Sequence, residues 1–282
     1  MAIKFLIDSS SDINEKEAKE LGVTMLPMFI GFGEEEYYDG VTLLPDQFYE
    51  KLVNSSVHPK TSQVNAFRFE EAFQELTANG DEVIAIVLSS ELSATYKSAC
   101  LAAADFDGKV HVVDSLSATA GIRVLLEYAL ELYAKGMDAK SIIAELEVVK
   151  SKIKIIAVLD TLEYLKKGGR ISAATAVVAS ALSIKPIIGV VDGKVEVIAK
   201  AVGAKRGELM LTSLVEKTSG IDLEKPHCMV YSGADDYSVL KYLNNNKTLF
   251  GGDVSNVKHH IIGSTIGVHV GPGVVGIVFV EK

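Results

Sequence analysis

The chain has 282 residues, a length that predicts about two domains and room for a well-buried core. Hydrophobic residues make up 48% of the chain and charged residues 23%, which is typical of a globular protein. The formal net charge of −9 argues against a nucleic-acid-binding protein, because phosphate contacts depend on clusters of lysine and arginine.

The sequence contains no segment that predicts a membrane span or a signal peptide. The uncharged apolar runs at residues 171–184 and 270–280 are too short and too interrupted for a spanning helix. The apolar stretch between Lys4 and Asp8 is too short for a signal-peptide core. Only two cysteines occur, far apart in the chain, which predicts no disulfide framework. We therefore expect a cytoplasmic protein.

The first half of the chain alternates predicted strands and helices, a pattern that indicates βαβ units and a parallel sheet flanked by helices. The predicted strands are Ile3–Asp8, 82–88 and 109–114, with an irregular extended segment at 23–32 that contains Pro27. The predicted helices are 14–21, 45–53, 67–77, 93–104, 118–134 and 138–151.

The second half predicts a mixed sheet, because a hairpin is expected among helices. The Asp192-Gly193 pair between apolar runs at 187–191 and 194–199 is a strong hairpin signal. Further predicted strands are 154–159, Cys228–Tyr231 and 274–280, and the predicted helices are 161–167, 172–182, 203–217 and 235–244. The change of pattern predicts an N-terminal α/β domain at residues 1–152 and a C-terminal α/β domain with a mixed sheet at 153–282.

Hydroxyl side chains follow three predicted strands of the first domain and also occur in a polar loop at 55–65. They are Ser9–Ser11 after the first strand, Ser89, Ser90, Ser93 and Thr95 after the second, Ser115 after the third, and Thr61 and Ser62 in the loop. Ligands of open parallel sheets bind at the carboxyl ends of the strands, and helix N-termini there attract anions. These residues therefore predict a neutral, hydroxyl-lined anion site, although each is also a common helix cap.

No common catalytic or nucleotide-binding motif occurs in the sequence context that such a motif requires. No GxGxxG follows a strand and no GxxxxGK[ST] occurs, so nucleotide binding lacks support. No GxSxG occurs, which argues against a hydrolase nucleophile elbow. No HExxH occurs, and the adjacent His259 and His260 would point to opposite faces of a strand. We therefore predict no metal and no cofactor.

Two glycine-containing segments of the second half are candidates for ligand or partner contact. The pattern at residues 166–170 predicts a helix end. Arg170 follows two glycines, where its side chain can be exposed and can bind a phosphate or a carboxylate. Residues 263–273 are dense in glycine and predict an irregular loop in which His269 has room to reach a ligand.

The motifs together resemble the DegV family over nearly the whole chain. They are IDSSSD at 7–12, TSQ at 61–63, SSELSATY at 89–96, DTLEYLKKGGRI at 160–171, IKPI at 184–187 and GVHVGPG at 267–273. Two departures are Ala94, where the family usually has glycine, and Val64-Asn65 in place of a proline-containing continuation.

The resemblance implies two α/β domains that bind one long-chain fatty acid, with its carboxylate near the domain junction. It also implies that a separate ATP-dependent kinase subunit phosphorylates the carboxylate, which gives acyl phosphate for phospholipid synthesis. By this resemblance Thr61 and Ser93 bind the carboxylate and His269 lies beside it. Arg170 and Arg206 match positions of phosphate or kinase contact.

Three other functions stay open at the level of sequence. One is an esterase with Ser93 as nucleophile and His269 as base. Another is a substrate-binding protein for a small ketone, of the dihydroxyacetone kinase type. The third is a regulatory protein for which the lipid is only a signal.

Overall fold

The computed structural model describes residues 2–171 and 183–282 of the chain; the predicted helix at 172–182 lies outside the described residues. The elements up to residue 149 are β1 (Ile3–Asp8), α1 (Glu15–Leu21), β2 (Thr24–Leu26), β3 (Phe29–Phe32), β4 (Glu35–Tyr38), α2 (Pro45–Asn54), β5 (Lys60–Ser62), α3 (Ala66–Thr77), β6 (Glu82–Val87), α4 (Thr95–Ala103), β7 (Val110–Asp114), α5 (Ala120–Ala134) and α6 (Ala139–Val149).

The elements after residue 149 are β8 (Ile153–Val158), α7 (Glu163–Lys167), β9 (Ile184–Val191), β10 (Lys194–Val202), α8 (Ala204–Glu216), β11 (Cys228–Tyr231), α9 (Tyr237–Asn245), β12 (Lys258–Ile261), α10 (Ser264–Val270) and β13 (Val275–Val280).

The first sheet is parallel and has the strand order β2-β1-β6-β7. Its central strand β6 is buried from Val83 to Val87, as expected for a parallel sheet with both faces covered. Helices α3 to α6 pack against this sheet. Asn14 and Asp138 cap α1 and α6 by accepting the backbone N–H of Glu17 and Ser141. The predicted parallel α/β arrangement is confirmed.

The second sheet is mixed and has the strand order β10-β9-β8-β13-β11-β12. Among the described strands of this sheet, only β11 and β12 are parallel neighbours. The predicted hairpin joins β9 to β10, and both Asp192 and Gly193 have positive φ, as a tight hairpin turn requires. The predicted fold class, two α/β domains of which the second has a mixed sheet, is confirmed.

The third sheet is small and antiparallel, with the strand order β4-β3-β5. Its strands come between β2 and β6 in the chain, and it packs against α2. The polar loop predicted at 55–65 contains β5, in which Thr61 pairs with Ile30 of β3. The strand pairing holds Thr61 in a fixed position that a free loop would not provide.

The glycine-rich segment 263–273 was expected to be an irregular loop, and this expectation is wrong for its first part. Residues Ser264–Val270 form α10, and His269 lies in its last turn. The three backbone N–H groups at its start donate to carboxylates from the first domain: Gly263 to Asp12 (2.8 Å), and Ser264 and Thr265 to Asp39 (3.1 and 3.2 Å). These distant caps stabilise a helix for which the local sequence supplies no capping side chain.

No helix in the described ranges combines the length and the apolar character needed to cross a membrane.

Candidate functional site

A cavity of about 350 Å³ lies between the first sheet's strand ends and the face of the second sheet. Leu88 at the end of β6 and Ala118 after β7 line it from the first domain. Ile155 of β8 and Ile188 of β9 line it from the second. Its place at the carboxyl ends of parallel strands is the usual ligand position in such sheets, and its volume lies within the range of ligand-binding pockets.

The walls of the cavity are mostly aliphatic. Alternate residues of the second sheet face it, such as Ile155 with Ala157 and Ile188 with Val190, because side chains alternate between the two faces of a strand. The remaining aliphatic residues come from both domains: Met28, Leu88, Leu92, Ala94, Ala118, Leu165, Val195, Val230, Ile262, Ile266, Val270 and Val274. An apolar ligand segment can therefore be buried here without leaving polar groups unpaired.

Four uncharged polar side chains, Thr61, Ser62, Ser93 and His269, line the cavity, and we refer to them as the polar cluster. The Nε2 atom of His269 lies 3.0 Å from Oγ1 of Thr61. No aspartate or glutamate in the described ranges lines the cavity. The polar cluster therefore offers hydroxyl and imidazole groups to a ligand and no negative charge to repel an anion.

His269 is held neutral by its surroundings. Burial lowers the pKa of His269 to about 4, and the positive charge of Arg170 and the proximity of His58 act in the same direction. Its Nδ1 atom is buried and has no hydrogen-bond partner among the described residues. At neutral pH the ring is an uncharged hydrogen-bonding group beside Thr61.

Arg170 lies at the edge of the cavity, exposed to solvent. Its Nε donates to the carbonyl oxygen of Leu92 (3.1 Å), and its Nη1 donates to that of Gly168 (2.7 Å). These two bonds hold the guanidinium between the α7 end and the loop that carries Ser93. A positive charge is thereby fixed beside the hydroxyl groups.

Five of the seven predicted site residues line the cavity: Thr61, Ser62, Ser93, His269 and Arg170. The other two, Thr95 and Arg206, lie outside it.

Thr95 is fully buried and lies behind Ser93. Its Oγ1 is 3.0 Å from the Ser93 Oγ, and its backbone N–H donates to that same Oγ at 3.2 Å. Its position supports Ser93 and does not line the cavity. Arg206 lies on α8 in a separate surface depression, next to Lys200, Val202 and Leu209.

The other strand-end hydroxyls form internal hydrogen bonds. Ser9 accepts the backbone N–H of Met28, and Ser11 donates to the carbonyl oxygen of Asp8. Ser89 donates to the carbonyl oxygen of Gly193, which fastens the β9–β10 hairpin to the first domain, and Ser115 donates to that of Ser117. The expectation that all three strand ends present hydroxyls to one ligand is therefore wrong, because only Ser93 reaches the cavity.

Within the described ranges, three polar residues outside the predicted set also line the cavity: Gln63, Thr119 and Thr265. Gln63 donates to Ser98 at 3.1 Å, and Thr119 donates to Asp12. Thr265 lies in the first turn of α10. Gln63 belongs to the TSQ motif, which was a usable signal, whereas Thr119 and Thr265 reach the cavity only through long-range packing.

The geometry defines a class of protein: a two-domain α/β protein with an aliphatic cavity at the domain junction and a neutral polar cluster on its wall. The sequence model described as "Uncharacterised protein, DegV family" matches residues 2–282. A DegV domain-containing protein of Clostridium perfringens is 33% identical and covers 98% of this chain and 97% of its own. One of Deinococcus radiodurans is 31% identical, with 98% of each chain covered. The chain belongs to the DegV family.

Solved structures of the family have the same fold. A DegV family protein of Thermus thermophilus, described by its fatty acid binding, superimposes with a TM-score of 0.87 at 29% identity, and all of both chains is covered. DegV of Bacillus subtilis, described as a fatty acid binding protein, superimposes with a TM-score of 0.84 at 26% identity, again over the whole of both chains.

Proposed function

We propose that this chain binds one long-chain fatty acid in the cavity between its domains. The observation that carries the proposal is the aliphatic cavity with Thr61, Ser62, Ser93 and His269 on its wall and no carboxylate among the described lining residues. The fatty acid binding described for the Thermus thermophilus and Bacillus subtilis proteins supports it.

The energetics favour a ligand with a long tail. Each buried CH₂ group contributes about 0.8 kcal/mol, so a chain of about fifteen contributes roughly 12 kcal/mol before ordering costs. A hydrogen bond to the carboxylate contributes about 1.5–3 kcal/mol. Affinity therefore comes mainly from the tail, and the choice of head group from Thr61, Ser62, Ser93 and His269.

We further propose that the bound acid is the substrate of a separate kinase subunit. In that reaction the γ-phosphoryl group of ATP passes to a carboxylate oxygen, which gives acyl phosphate and ADP. The family resemblance implies this role, and the exposed Arg170 beside the polar cluster supports it, because a guanidinium suits a phosphate. The chain then contributes position and charge and needs no catalytic residue of its own.

The hydrogen bonds of Ser93 and His269 disfavour the hypothesis of an esterase. Ser93 Oγ has Thr95 as its hydrogen-bond partner, and His269 Nε2 has Thr61, so the two do not form a nucleophile–base pair. The aliphatic walls likewise disfavour a small ketone, because such a ligand leaves most of this apolar surface unfilled.

The test is native mass spectrometry of protein purified from a heterologous host, followed by palmitate titration after delipidation. We expect one fatty acid per chain. Ala157→Leu fills the cavity and should lower the bound fraction, whereas Ala134→Leu, at an exposed position of α5, should not. Protein that carries no acid and takes none up would overturn the proposal.

The kinase step has its own test. Acyl phosphate should form when ATP, palmitate and a fatty acid kinase subunit are all present, and not when any one is left out. Binding of acid without acyl phosphate formation with any such subunit would instead support a regulatory protein that senses lipid.

A further inference from the structure

Gly168 ends α7 against the imidazole ring of His269. A Cβ atom at Gly168 would lie 2.1 Å from Nδ1 and 2.8 Å from Cε1 of that ring, closer than real Cβ contacts. The backbone of Gly168 has φ −75° and ψ −9°, a conformation that alanine also adopts. Glycine is therefore needed at this position for the space it leaves to the ring and not for its backbone freedom.

The two ring nitrogens of His269 lie in different surroundings. Nε2 is 3.0 Å from Thr61 Oγ1, whereas Nδ1 is buried beside Gly168 without a hydrogen-bond partner among the described residues. A proton on Nδ1 would be a buried donor without an acceptor, and orphaned N–H groups are rarer in proteins than under-satisfied acceptors. The neutral ring is therefore best accommodated with its proton on Nε2.

The position of this proton determines what Thr61 can do. With the proton on Nε2, the ring donates to Thr61 Oγ1. A hydroxyl group has a single proton, and that of Thr61 is then free to donate to a second acceptor. Because Thr61 lines the cavity, a ligand carboxylate there can accept this hydrogen bond.

We propose that Gly168 is a positioning residue, which holds His269 with its proton on Nε2 and so makes Thr61 a hydrogen-bond donor to the ligand carboxylate. The identity of the ligand rests on the proposed function. The protonation of the ring does not, because it is a property of the lipid-free protein.

The first test is ¹⁵N NMR of histidine-labelled, delipidated protein at neutral pH, with the His269 signals assigned from His269→Gln. We expect Nε2 to be protonated in the wild type and the signals to shift toward a mixture of tautomers in Gly168→Ala. Protonation at Nδ1 in the wild type would overturn the proposal, and so would unchanged His269 signals in Gly168→Ala. If Gly168→Ala fails to fold, the wild-type spectrum still decides where the ring proton lies, and a proton on Nδ1 overturns the proposal.

The second test is a double-mutant cycle with palmitate binding as the readout. We expect Gly168→Ala and Thr61→Val each to weaken binding roughly 10- to 100-fold, the loss of one hydrogen bond to a charged group. The double variant should bind no more weakly than Thr61→Val, because Gly168 acts through that hydroxyl. Lys167→Ala, one position earlier on α7 and exposed, is the control and should leave the affinity unchanged.

Additive losses in the cycle would overturn the proposal, since they mean that Gly168 acts independently of Thr61. Wild-type protein that shows the expected ring protonation but binds no palmitate would overturn the proposed function instead and would support the assignment of the ring.

Discussion

His269 and Thr61 are 208 positions apart in the chain, yet Nε2 of one lies 3.0 Å from Oγ1 of the other. Thr61 belongs to β5 of the small sheet, whereas His269 belongs to α10, close to the end of the chain. Helix α10 packs against α2, β3 and β5 from the first half. The polar cluster therefore exists only when the two halves of the chain are packed together.

Replacement of Ser93 by alanine should weaken palmitate binding about tenfold, because a hydrogen bond to the carboxylate is lost. Ser90→Ala is the matched control, since Ser90 lies in the same loop, is exposed and does not line the cavity. Calorimetric titration of delipidated protein measures both. Equal affinities for the two variants would remove Ser93 from the site.

Replacement of Arg170 by alanine should separate binding from turnover. Exposed charges contribute at most about 1 kcal/mol, so acid affinity should fall by no more than about fivefold. Turnover coupled to a kinase subunit should slow much more, because the guanidinium is the cation beside the polar cluster. Losses of equal size in binding and turnover would contradict the role in phosphoryl transfer.

Much of the fold could be predicted because its elements have local signals. The buried strand at β6, the Asp192-Gly193 hairpin and the helices predicted to begin near Asn14 and Asp138 all lie where their sequence patterns placed them. Each of these features depends on residues within a few positions of one another, so hydrophobic periodicity and turn chemistry suffice.

Helix α10 could not be predicted, because the contacts that stabilise it come from elsewhere in the chain. Asp12 and Asp39 accept its first N–H groups. The glycine that follows the helix is needed for close packing, as a Cβ on Gly271 would lie 2.3 Å from the ring of Tyr164. The same limit applies to the hydroxyls at the strand ends, since the sequence does not show which of them would be used in internal hydrogen bonds.

The stability of the lipid-free protein should depend on pH through His269. Its pKa in the folded state is about 4, against an ordinary value near 6.5, so folding favours the neutral ring. Above pH 6.5 the ring is neutral in both the folded and the unfolded chain, and the stability of the protein is at its full value. As the pH falls from 6.5 toward 4, the unfolded chain takes up a proton at His269 that the folded protein does not, so the free energy of unfolding decreases. The difference between the two pKa values corresponds to at most about 3 kcal/mol.

The measurement is urea denaturation of wild type and His269→Gln between pH 4 and pH 8. As the pH falls, the free energy of unfolding of the wild type should decrease relative to that of His269→Gln, because glutamine takes up no proton. The buried groups Asp12 and His260, whose pKa values are about 7 and about 3, are present in both proteins and cancel in the difference. A gap that stays constant across this range would show that His269 is not held neutral by burial.

The packing of α10 against the first domain should be sensitive to one methyl group. A Cβ on Gly267 would lie 2.5 Å from Cε1 of Phe48 and 2.8 Å from the Tyr49 hydroxyl oxygen, and both rings are buried. Gly267→Ala must therefore displace the helix or the rings, at a cost of about 1–3 kcal/mol in the free energy of unfolding. Gly31→Ala is the control, because its added Cβ meets no atom closer than 4.0 Å. Since α10 carries His269, displacement of the helix should also weaken palmitate binding. Unchanged stability and unchanged affinity in Gly267→Ala would contradict the prediction, because they would show that the added methyl group disturbs neither the packing of α10 nor the contact between Thr61 and His269.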